Sequence, residues 1–239
     1  MSKCLAESSC RLVTVSFTVE LRGGQHVRLR PLAADDRRRL LDAFERLSEE
    51  SRYRRFFAPV HELSEDSLEY LVDIDHHDHE AVIAIDASSA SLVGVARYVR
   101  PAPDSDSAEA AVVVADDWQR QGLGRALLEY LVRRAREEGI ARFTALVQAD
   151  NRRAMELLAE IGPTSRRLEG DLVELDIELP RERLGTPMVL ALRAAAGSAW
   201  GVRPLSERLV RLAKELWELR TQATQRARSG RQRNRGAGG

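Results

Sequence analysis

The run from Glu109 to Leu128, EAAVVVADDWQRQGLGRALL, holds the residues whose types and spacing can do chemistry. An apolar stretch ending at Ala115 reads as a buried strand, and Gln119-Arg120-Gln121-Gly122-Leu123-Gly124 then opens a helix. Glycines at such a turn let backbone N–H groups converge without Cβ obstruction, and a helix N-terminus adds partial positive charge. That combination is an anion site suited to a pyrophosphate. Two familiar loops are excluded. A P-loop needs Gly-Lys-Ser/Thr, which does not occur, and a dinucleotide fingerprint needs glycine or alanine where Leu127 stands. A second cluster, His76, His77 and His79 in DIDHHDHE, invites a metal ion. Adjacent strand side chains point to opposite faces and no cysteine or separate histidine cluster completes a ligand set, so no metal site is expected.

Elements on either side must hold this loop in place. Val13, Val15, Phe17, Val19 and Leu21 alternate as in a strand, Gly23-Gly24 turns the chain, and His26–Arg30 alternates again, which predicts a β-hairpin. Asp35 and Asp36 open a helix carrying Leu40, Leu41, Phe44 and Leu47, and a short helix around Ser51–Phe57 follows. Ser64 caps a third helix with Glu65 and Asp66 in its first turn. Apolar runs Glu80–Asp86 and Leu92–Arg100 predict strands around a Ser88-Ser89 turn, and Glu109–Ala115 a third. Helix Gly122–Glu138 stops at Gly139; then come strand Arg142–Gln148, a helix capped by Asn151 and a strand near Leu172–Leu179. These elements predict an α/β (α+β) domain with a mixed, mostly antiparallel sheet.

Gln119-x-x-Gly122-x-Gly124 after a strand, with Asn151-x-x-Ala154-x-x-Leu157 about 30 residues later, resembles the GNAT acyltransferase superfamily. The resemblance spans residues 25–180 and includes VRLRPLAADD. SEESRYRRFF, LVDIDHHDHEAVIAI and AEAAVVVADDWQRQGLG resemble the GNAT domains of bacterial protein lysine acetyltransferases. It implies the GNAT fold, acetyl-CoA as cosubstrate, no metal, and direct transfer to an amine, with a protein lysine as acceptor. The loop Gln119, Gln121, Gly122, Leu123, Gly124 and Arg125 would bind the coenzyme, its amides at Gln121, Gly122, Gly124 and Arg125 holding the pyrophosphate. The strand of Val112–Ala115 would splay from that of Ala145–Gln148 around the pantetheine arm. An amide at Val113 or Val114 would polarise the thioester carbonyl, and Asn151 would lie near the arm as well as cap its helix.

The resemblance also implies Glu109 as general base, where composition alone makes it a solvated strand-edge carboxylate. A base is needed because a lysine amine of pKa about 10.4 is neutral in only about one molecule in 2,500 at pH 7, an obstacle of about 4–5 kcal/mol. The chain departs from the family pattern at Leu158, where many relatives carry a tyrosine proposed to protonate the thiolate, and at Gly162-Pro163 in place of Gly-Phe. An acyl-CoA-binding regulatory or degenerate module whose basic tail binds a partner is the alternative function.

The charge is zero over 239 residues but unevenly placed. Residues 181–239 carry 13 Lys and Arg against 4 Asp and Glu, a net +9, leaving −9 for residues 1–180. Glu62, Glu65, Asp66, Glu69, Asp73, Asp75, Asp78 and Glu80 could steer a cationic acceptor if they border its groove. The division expected is a 1–24 extension with a strand, a 25–180 GNAT domain, a 181–203 linker, a 204–226 amphipathic helix and a 227–239 disordered basic tail. Leu205, Leu209, Leu212, Leu216 and Leu219 give that helix an apolar stripe for docking on its own domain, for a homodimer or for a partner. Few aromatics and no recognised motif argue against nucleic acid. Cys4 and Cys10 have no redox or metal spacing. No signal or membrane span is apparent, so a cytoplasmic location is expected.

Overall fold

In the computed structural model the described residues are 16–103 and 105–180. The linker, amphipathic helix and basic tail predicted from residue 181 onward lie outside the described residues, as do Cys4, Cys10, Val13 and Val15.

The hairpin forms as its alternation requires. Strand β1 (Phe17–Glu20) pairs antiparallel with β2 (His26–Pro31), with Phe17 opposite Leu29 and Val19 opposite Val27. Gly24 takes the turn at φ +78°, a conformation that favours glycine. Near the end of β2, Arg30 donates two hydrogen bonds of 2.5 and 2.7 Å to the buried carboxylate of Asp36, fastening the chain before α1 (Arg37–Arg46). Helix α2 (Glu49–Phe56) starts where Ser48 Oγ accepts from the Ser51 amide, and α3 (Glu65–Val72) where Ser64 Oγ accepts from Ser67.

Strands β3 (His79–Asp86), β4 (Leu92–Val99) and β5 (Ser107–Val114) form the centre of the sheet. Helix α4 (Leu123–Glu137), β6 (Arg142–Gln148), α5 (Arg152–Ala159), β7 (Thr164–Glu169) and β8 (Leu172–Glu178) complete it. The eight-stranded order is β1-β2-β3-β4-β5-β6-β8-β7, antiparallel except for β5 against β6. The fold is therefore the mixed, mostly antiparallel arrangement expected. Strand β7 has no counterpart in the sequence reading: Thr164–Glu169 is an edge strand with five exposed residues, so it carries no burial alternation to detect.

Helices cover both faces, which is why β3 and β4 are buried at every position. Val82, Ala84, Ala96 and Tyr98 pack with Leu127 and Leu131 of α4. Ala81, Ile83, Ile85 and Val95 pack with Leu40 of α1 and Leu68 and Leu71 of α3. Gly94 lets α4 lie close, because a Cβ there would stand 2.8 Å from Leu127 Cδ1.

Candidate coenzyme cleft

Strands β5 and β6 pair only at Ser107–Arg142, Ala108–Phe143 and Glu109–Thr144. Beyond Glu109 they separate, since β6 continues with β8 while β5 continues with β4. The gap opens a cleft of about 990 Å³ lined by Glu109 to Val114, Ala145 to Val147, Gly122, Gly124 and Asn151. That volume lies in the range of small-molecule and cofactor sites.

Pairing decides which backbone groups face the gap. The Ala115 amide donates to Val93 at 2.9 Å, so alternation aims the amide of Val113 at Val95 and that of Val114 away from β4. The Val114 carbonyl indeed accepts from Gln119 Nε2 at 3.2 Å, outside the β4 ladder. Of the two valines named from sequence, Val114 thus presents its amide to the cleft, while Val113 contributes lining.

Below lies the loop. Gly122 sits at φ +94° before α4, and the first hydrogen bond of that helix runs from Ala126 to Gly122 at 3.1 Å. The amides of Leu123, Gly124 and Arg125 therefore precede the helical ladder, at the positive end of a 15-residue helix. Gly124 makes their cradle: a Cβ there would stand 2.9 Å from Leu157 Cδ2 of α5. These features fit a pyrophosphate. Leu123 itself is a core residue, and Arg125 extends outward to Glu129 at 2.9 Å and Glu160 at 3.4 Å. Gln119 and Gln121 brace the loop, Gln121 Nε2 donating to Asp117 at 2.8 Å while its carbonyl accepts from Arg22. Asn151 accepts from the Ala154 amide at 3.2 Å as the cap of α5 and also lines the cleft. Trp118 packs against the core.

A brace that the sequence reading did not find is Asp116. Its carboxylate accepts from the Ser48 amide at 2.9 Å and from the hydroxyls of Ser48 and Ser51 at 3.0 and 2.7 Å, tying α2 to the loop. Burial would raise its pKa, but these hydrogen bonds outweigh burial and hold it below the usual carboxylate range. A second missed group is Arg55 of α2, which faces Glu109 electrostatically and lines the cleft. Neither residue belongs to a recognisable spacing, so only the packing of α2 on β5 brings them in.

The histidine cluster disperses. His76 Nδ1 bonds Glu80 at 2.8 Å, His77 Nδ1 bonds Glu138 at 2.6 Å, and buried His79 stacks on Tyr70. The acidic stretch disperses too: Glu80 is wholly buried, Asp78 pairs with Arg100 at 3.1 Å, and Glu65 pairs with Arg37. None of its eight carboxylates lines the cleft. No described helix is long and apolar enough to cross a membrane.

A splayed parallel pair with helix-start amides below it is the arrangement that a coenzyme-A acyltransferase fold would need. The chain matches the Acetyltransferase (GNAT) family over residues 38–162 and belongs to that family. It is 31% identical over 162 residues to Acetyltransferase Pat of Mycolicibacterium smegmatis, covering 68% of this chain and 48% of Pat. It thus spans about half the length of that relative. Acetyltransferase PA5475 of Pseudomonas aeruginosa is 32% identical over 157 residues, covering 65% of this chain and 84% of its own. Among solved structures, the GNAT domain of S. lividans PAT superposes with a TM-score of 0.64 at 32% identity, over 69% of this chain and 97% of that one.

Proposed function

We propose that this protein is an acetyl-CoA-dependent N-acyltransferase with an amine acceptor, most specifically a protein lysine. The observation that carries this reading is the ending of β5–β6 pairing at Glu109–Thr144, which leaves a cleft with Glu109 at one end and the helix-start amides at the other. When bound, the coenzyme supplies an activated thioester acyl group. The amides of Leu123, Gly124 and Arg125 hold its pyrophosphate, and the cap residue Asn151 borders the arm. The amide of Val114 donates to the thioester carbonyl as negative charge builds on its oxygen. Glu109, directly or through a water, takes a proton from the acceptor ammonium, and the neutral amine so formed attacks the thioester carbonyl carbon. Leu158 is buried where many relatives carry tyrosine, so water protonates the departing thiolate.

The lysine acceptor is supported by the resemblance to protein lysine acetyltransferase domains and by the likeness to Pat. Calorimetric titration with acetyl-CoA, and with desulfo-CoA as a non-reactive comparison, tests the cofactor. Saturable one-site binding is expected, followed by acetylation of lysine-bearing proteins. Binding without transfer to any amine would favour a regulatory module, and no binding at millimolar coenzyme would end both readings.

A further inference from the structure

On the other face of β5, α1 to α3 close over β4 and β5 to leave a chamber of about 60 Å³. Its walls are apolar, among them Leu40, Phe44, Phe56, Leu71 and Val95. Two guanidinium groups, Arg55 and Arg97, are its charged lining. Arg97 is 3% exposed. It donates to the Leu71 carbonyl at 3.1 Å and to His79 Nε2 at 3.3 Å. A ring nitrogen that accepts carries no proton, so both partners are neutral. Among the described residues no carboxylate forms an ion pair with Arg97, and after burial the largest influence on it is the like charge of Arg55. Arginine stays protonated in proteins, and a buried charge without a counter-ion costs several kcal/mol. Apolar walls around such a cation suit a short alkyl arm ending in an anion.

The chamber and the coenzyme cleft share Arg55, Ala111 and Val113. A carbonyl held at the Val114 amide therefore has its substituent beside the chamber. Ala111, opposite Arg97 in the sheet, lies three residues before Val114 on β5, about 10 Å back along the strand. A four- or five-carbon diacid arm and one hydrogen bond cover most of that distance along β5, and the guanidinium of Arg55 lines both chamber and cleft on the way toward Arg97. We propose that the chamber binds the distal carboxylate of a dicarboxylic acyl group, so that the acyl donors of this protein include succinyl-type thioesters of coenzyme A. This rests on the coenzyme reading of the cleft. In the transfer, the amine nitrogen bonds to the carbonyl carbon and the carbon–sulfur bond breaks. The thiolate leaves with that electron pair, protons pass from the amine to the base and from water to sulfur, and the distal carboxylate is unchanged.

Calorimetry with three non-reactive ligands tests this on the full chain: CoA, S-butyl-CoA and S-(3-carboxypropyl)-CoA. The carboxypropyl ligand is expected to bind the wild type about tenfold more tightly than the butyl ligand, each normalised to CoA. In Arg97→Met that advantage should vanish. Equal affinities for the two thioethers in the wild type would overturn the proposal without any variant being needed. If CoA itself fails to bind, the coenzyme reading fails instead. An amine acceptor is the other source of a carboxylate. Equal thioether affinities, with an Arg97-dependent preference for an amino acid over its amide, would assign the chamber to the acceptor and overturn the acyl assignment.

Discussion

At the residue scale the proposed chemistry reduces to a few groups whose neighbours set their roles. Glu109 is the last β5 residue paired to β6, so its backbone is held on both sides while the cleft begins beside it. Glu109→Gln keeps that geometry and removes the proton acceptor. Turnover near neutral pH should fall about 100-fold or more, with acetyl-CoA affinity retained in calorimetry. Normal turnover would exclude Glu109 as the base. Gly124 is limited by space, its ordinary helical backbone being open to any residue. A larger residue would meet the flexible end of Leu157, which can shift, so the fold should survive Gly124→Glu. The new carboxylate would fill the amide cradle with like charge, and coenzyme affinity should drop about 100-fold at an unchanged thermal midpoint. Spacing made Gly124 legible. Arg55 and Asp116 were not, because each acts across a contact between elements distant in the chain.

Elements are joined by local devices that keep the site in register. The β3–β4 turn depends on Asp86, whose carboxylate accepts from the amides and hydroxyls of Ser88 and Ser89 at 2.5–3.1 Å. Hydrogen bonding by Ser89, with the bonds from Ser88, outweighs burial and lowers its pKa to about 2. A depressed carboxylate pKa stabilises the fold above the unfolded value, near 3.9, and that stabilisation is lost as pH falls through the folded value. Asp86→Asn should therefore cost about 1–2 kcal/mol at pH 7 in urea denaturation. The gap between variant and wild type should narrow below about pH 4 and close toward pH 2. A gap independent of pH would mean that the carboxylate charge is irrelevant. The serines marked this turn in the sequence, and Ser64 and Asn151 marked their helix starts. A short polar side chain beside a helix or turn acts on its own backbone, so its effect is readable locally.

For the whole molecule, helix α4 is the common support of loop, sheet and cleft. Its far end is pinned by Arg134, which donates to the wholly buried Glu80 at 3.0 Å and to the His76 carbonyl at 3.2 Å. Glu80 also bonds His76 Nδ1. Removing one partner of a buried pair leaves the other charge without compensation. Arg134→Met should lower unfolding free energy by about 3–5 kcal/mol, with little sensitivity to salt because the pair is shielded from counter-ions. A loss below 1 kcal/mol would show that water replaces the guanidinium. Glu80 stood in the sequence at the start of an apolar strand run, but nothing local to it pointed to Arg134, 54 residues away, as its partner.

Periodicity, caps and glycine spacing determined the order of elements apart from β7, the glycine loop that opens α4 and the family resemblance from sequence alone. Those signals arise among residues close in the chain, where backbone geometry fixes who can meet. Tertiary structure decided the rest. It separated β5 from β6, turned the amide of Val114 to the gap and left that of Val113 in the sheet. The histidine and acidic runs were dispersed, and Arg55 came together with Arg97 beneath α1 to α3. Such placements depend on which face of a strand meets which helix, a choice made by packing between residues far apart in sequence.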